Sequence, residues 1–104
     1  MTSEGTCTWS GKSGREYEYR IYKLPPKFKA LAGNYIFAKE TGPAEWAPIY
    51  ISETGDLRFH QQEMQRIREH GATHIHAHEN DAGETARREE AEDLVAQWNP
   101  PCNQ

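Results

Sequence analysis

The spacing of apolar residues changes period along the chain, and each change marks an element. Residues 16–24 alternate, with Tyr17, Tyr19 and Ile21 on one side and Glu18, Arg20 and Tyr22 on the other, until Pro25 and Pro26 end the run. This is the period-two pattern of a strand with one wet face. Residues 72–78 alternate again, with His74, His76 and His78 on one face and Thr73, Ile75 and Ala77 on the other. Between them lie two runs whose β-branched and aromatic content suits a pleated surface, residues 34–38 and residues 48–51. Thr41, Gly42 and Pro43 form a turn between these two, which predicts antiparallel neighbours able to place Tyr35 and Tyr50 on one sheet face when the register allows.

Two stretches carry the longer period of a helix. Asp56 is an N-cap for a helix running to about His70 and closed by Gly71, with Leu57, Met64, Ile67 and His60 on the inner side. Residues 84–98 form the last helix, with an inner stripe of Arg87, Ala91, Leu94, Val95 and Trp98 and a charged remainder that reads as a solvated face. The predicted fold is therefore α+β: a small antiparallel sheet, a β-β-α-β-α core with an added N-terminal strand, covered by two helices. The added strand has two readings, an edge strand whose cations discourage aggregation or a ribbon facing DNA.

A chain of 104 residues makes one domain, expected over residues 15–104, and can bury a modest core without disulfides or metal. Residues 1–14, rich in Ser, Thr and Gly, are expected to form a flexible start with Trp9 tacked onto the body. No apolar run approaches the roughly 20 residues of a membrane span and none resembles a secretory leader, so the expectation is a cytoplasmic protein with no membrane partner. Cys7 and Cys102 belong to no paired motif and read as free thiols. The net charge of -4 is unevenly divided: residues 1–39 hold seven Lys/Arg against three Asp/Glu, and residues 40–104 hold five against thirteen, giving +4 and -8. Phosphate neutralisation supplies most non-specific affinity for DNA, so any DNA contact is expected to be weak and to run through the basic N-terminal third.

Gly33-Asn34-Tyr35, Tyr50-Ile51-Ser52, Gly55-Asp56-Leu57 with Arg58 behind, the pair Leu94-Val95 in the last helix and Pro100-Pro101-Cys102-Asn103 follow one another in an order that resembles the GIY-YIG nuclease domain. The resemblance spans residues 33–103. It implies a metal-dependent DNA endonuclease, a phosphodiester hydrolase in which Tyr35 and Tyr50 sit at the attacking water, Arg58 holds the phosphate, Asn103 supports the site, and one Mg2+ or Mn2+ is bound by a single glutamate. Phosphodiester hydrolysis needs an oriented water, a proton acceptor and positive charge on the pentavalent phosphate. An unperturbed phenol, with a pKa of about 10, serves as a base only if a nearby cation lowers it.

The chain departs from the family pattern at three places. Ser52 stands at the second glycine, Arg58 comes two residues early with His60 at the usual place, and Ala91 occupies the position of the metal glutamate, flanked by Glu90 and Glu92. Glu90 shares a row with Leu94 and is the metal candidate. Two other functions stay open: a catalytically degenerate GIY-YIG-like module that binds nucleic acid or protein, and a metal-binding protein built on His74, His76 and His78. On one strand those three histidines spread over about 13 Å and cannot all reach a single ion, so packing against tyrosines or water is the simpler role.

Overall fold

The computed structural model describes residues 5–24, 32–54 and 61–103. Its strands are β1 (Thr6–Ser10), β2 (Glu16–Lys23), β3 (Gly33–Gly42), β4 (Glu45–Thr54) and β5 (His74–Glu79). Its helices are α1 (Gln61–Glu69) and α2 (Glu84–Trp98), and a single 3-10 turn covers Pro101–Asn103. The strands form one antiparallel sheet in the order β1-β2-β5-β3-β4. The fold is the α+β arrangement expected, one antiparallel sheet covered by two helices, and it carries one strand more than the pattern suggested. No helix among the described residues is long and apolar enough to cross a membrane.

β3 lies between β4 and β5 and is buried on both faces over its first six residues. Ile36 and Ala38 join Trp9, Tyr19, Ile51 and Leu94 under α2, whereas Tyr35 and Phe37 join Ile49, Ile67, Ile75 and Cys102 under α1. Side chains alternate across a strand, so a helix on each side turns one apolar run into the shared centre of two cores. The register fixes which residue faces which. Phe37 lies opposite Tyr50, but Ala38 lies opposite Pro48, so Ile49 is an extra residue that bulges β4. The proline fits because β4 is an edge strand.

Several expectations change in three dimensions. The start of the chain is already a strand: β1 pairs with β2 from Thr6 against Arg20 to Ser10 against Glu16, and Trp9 is buried. The segment expected to be flexible is thus structured over Thr6–Ser10, because β2 has a free edge and a core to offer it. For the same reason β2 is no edge strand, being flanked by β1 and β5. The helix stop at Gly71 is as read. Gly71, at φ 95°, donates to the Arg68 carbonyl and Ala72 donates to the Ile67 carbonyl, the two bonds of a Schellman closure. Asp56, Leu57, Arg58 and His60 lie outside the described residues.

Candidate functional site

Tyr35 pairs with Ser52 and Phe37 with Tyr50, and cross-strand partners share a face, so Tyr35 and Tyr50 lie diagonally on the α1 side. Tyr35 is buried and its hydroxyl folds back over the start of the strand: a Cβ on Gly33 would sit 3.1 Å from it and 2.5 Å from the His78 carbonyl oxygen. Tyr50, one strand further out, is half-buried. It lines a groove of about 450 Å³ between the free edge of β4 and α2, together with Ser52, Glu53, Arg88, Ala91, Glu92 and Asn103. Helical spacing explains the α2 wall, since residues 88, 91, 92, 95 and 96 fall on one flank of the helix.

Asn103 closes this site through the backbone. Its side-chain carbonyl accepts from the Ile51 N–H at 2.7 Å, and its side-chain N–H donates to the Ile51 carbonyl at 2.7 Å. The amide thereby stands in for the peptide of a missing neighbouring strand, and it holds the C-terminal turn on an edge that would otherwise offer both groups to another chain.

Glu90 lies elsewhere. It is 5% exposed on the face of α2 turned towards β2 and β5, where the buried Tyr19 hydroxyl donates to its carboxylate and His78 Nδ1 lies 2.9 Å away. Burial, followed by the Glu90 charge, drives the Tyr19 phenol far above its ordinary value. The structure therefore brings together Tyr50, Asn103 and residue 91 in one groove, keeps Tyr35 one strand inward, and puts Glu90 outside that groove, in the core against Tyr19 and His78.

The histidines of β5 also serve the α2-side core. His76 is fully buried and accepts at Nδ1 from Trp9 Nε1 at 2.9 Å, which leaves its proton on Nε2. Trp46 meets the rings of His74 and His76 edge to face, with centroids 4.8 and 4.6 Å apart. Burial first, and the charge of His74 second, lower the His76 pKa to about 4. His78 packs on Tyr19. This is the packing role, with tryptophans as the main partners.

Which groups could hold a divalent ion follows from these partners. Glu90 does not fit an ion in the groove, because its buried carboxylate is engaged by Tyr19 and His78 and does not line that groove. Glu92 does fit, since its carboxylate is hydrogen-bonded to no described residue and it lines the groove beside Tyr50. Small hard cations need only one or two carboxylates and keep several waters. The α2 pattern underlying Arg88 and Glu92 was visible as 3–4 spacing, but a charged run carries no mark of which flank a neighbouring strand will approach. No family model, curated protein or solved structure matches the chain.

Proposed function

We propose that the groove between β4 and α2 is a phosphodiester site and that the chain is a metal-dependent DNA endonuclease of the GIY-YIG kind, acting in the cytoplasm. One observation carries the reading: Tyr50, Asn103 and residue 91, three positions named by the resemblance, line the same open groove. In this reading Tyr50 orients the attacking water with its phenol and Arg88 meets a non-bridging phosphate oxygen. Asn103 acts by holding the strand that carries Tyr50, because both polar atoms of its side chain are engaged by Ile51. Glu92 would hold a Mg2+ or Mn2+ ion, which supplies positive charge for the phosphate and the leaving oxygen. Tyr35, buried beside Gly33, supports the wall behind Tyr50.

The test is nicking of supercoiled plasmid with Mg2+ or Mn2+. Expected results are metal-dependent nicking by the parent, a loss of at least about a hundredfold in Tyr50→Phe, and a gain in Ala91→Glu, whose carboxylate would enter the groove. Absence of metal-dependent nicking by both the parent and Ala91→Glu would overturn the catalytic reading. The alanine at 91 and the withdrawal of Glu90 into the core favour a second reading, a module that binds DNA in the same groove without cutting it.

A further inference from the structure

Tyr50 lines two hollows. One is the groove on the α2 side, with Arg88 on its wall. The other, of about 110 Å³ on the α1 side, is bounded by Tyr50, Arg66, Ile67 and Cys102. The turn Pro101–Asn103 lies between them, giving Cys102 to the smaller hollow and Asn103 to the groove. Both arginines are exposed. The Arg66 charge is close enough to Cys102 to oppose the rise that burial causes in its thiol pKa. Arg88 pairs with Glu84 one turn back along the helix surface, and an exposed pair of this kind contributes about 0–1 kcal/mol, so a phosphate can displace it. Of the groove's two acidic residues, Glu53 is already paired with Arg87 at 3.0 Å.

Four described cations of the basic N-terminal third lie too far away to supply this charge. Among the described residues Lys12, Arg15, Arg20 and Lys23 lie on or beside β1 and β2, and β5 and β3 separate them from β4. At the strand spacing of a sheet this puts β2 roughly 14 Å from β4. Among the described residues, Arg66 and Arg88 are the cations that line the two hollows beside Tyr50.

Building on the nuclease reading, we propose that Arg66 and Arg88 are phosphate-binding residues and that one DNA strand passes beside Tyr50 over the Pro101–Asn103 turn that caps the β4 edge, from one sheet face to the other. A single strand can turn around an edge in this way. A duplex, with a persistence length of about 50 nm, bends that sharply only at considerable cost. The site thus selects single-stranded or unpaired DNA.

Anisotropy of a fluorescein-labelled oligothymidylate tests the proposal, with Ca2+ in place of Mg2+ and salt varied from about 50 to 200 mM. For single strands the slope of log affinity against log salt falls by about 0.7 for each phosphate that is no longer neutralised by a side chain. Arg66→Gln and Arg88→Gln should each bind several-fold more weakly with that drop in slope, the double variant should drop by about 1.4, and Arg66→Lys should keep the parent slope. Arg68→Gln is the control: it alters an exposed cation on the same helix that lines a different surface with Met64, Gln65 and Glu69. Binding by the parent that Arg66→Gln and Arg88→Gln leave unchanged, or that Arg68→Gln reduces as much, overturns this inference while the nicking result still decides the nuclease reading. A parent that neither binds the oligonucleotide nor nicks plasmid overturns both.

Discussion

His76 shows how strongly one buried residue can tie stability to pH. Its imidazole is locked neutral by burial among Trp9, Trp46 and His74, with a folded pKa of about 4. The unfolded chain takes up a proton as pH falls through about 6.5, and the folded chain does not do so until about 4. Stability therefore falls as pH is lowered through that window, by about 2 kcal/mol between pH 7 and 5 from this residue alone. Urea unfolding of the parent and of His76→Gln at the two pH values checks this. The variant should lose much less on acidification, and equal losses would assign the pH dependence to other groups. Glu90 makes the complementary point, since a carboxylate chosen as a metal candidate is held instead by Tyr19 and His78.

The β1–β2 hairpin shows how one element is fastened to another. Asp93 of α2 accepts from the Ser13 N–H at 2.8 Å, the Ser13 hydroxyl at 2.7 Å and the Tyr17 hydroxyl at 2.7 Å. These bonds, the Ser13 hydroxyl first, hold the Asp93 carboxyl below its ordinary pKa, while burial followed by Asp93 pushes Tyr17 up to about 12. Gly11 makes room for the contact, because a Cβ there would lie 2.0 Å from Asp93 Oδ2. Gly11→Ala must push Asp93 away and should cost about 1–3 kcal/mol. Thermal melting measures the loss, and amide exchange should show it concentrated in β1. Unaltered melting would mean that the hairpin is held without Asp93.

Across the whole molecule the charge is segregated by strand order. Of the basic third, Lys12, Arg15, Arg20 and Lys23 lie on or beside β1 and β2 and Lys39 lies on β3, while the acidic remainder supplies α2 and the β4 side. Weak, strongly salt-dependent DNA binding is expected, with the basic third contributing long-range attraction to a strand held at the far edge. Replacing Lys23, Lys27 and Lys29 with glutamate should weaken binding at low salt by at least about tenfold, with little effect near 0.5 M salt, where the Debye length falls to about 4 Å. Anisotropy at the two salt concentrations measures both effects. Unchanged low-salt affinity would remove this surface from DNA binding. Lys27 and Lys29 lie outside the described residues.

The α+β class, the four later strands and both helices were legible in the sequence because period, β-branched content and the Gly71 stop are local properties of consecutive residues. The shared face of Tyr35 and Tyr50 was legible only as one outcome of the hairpin, because it depends on the β3–β4 register, which the bulge at Ile49 and the turn after Gly42 set. Local pattern could not reveal β1, because Thr6–Ser10 becomes a strand only when the β2 edge, Trp98 and Asp93 are there to receive it. Nor could it say which flank of α2 meets β4. Glu90 and Glu92 are two residues and about 200° apart on one helix, so packing alone sends the first into the core with Tyr19 and leaves the second on the groove with Tyr50. Sequence determined the elements from β2 onward, since their periodicity depends on neighbours along the chain, and left β1 to tertiary contacts. Tertiary structure decided which side chains share a site, since that depends on neighbours brought together from residues 50, 66, 88 and 103.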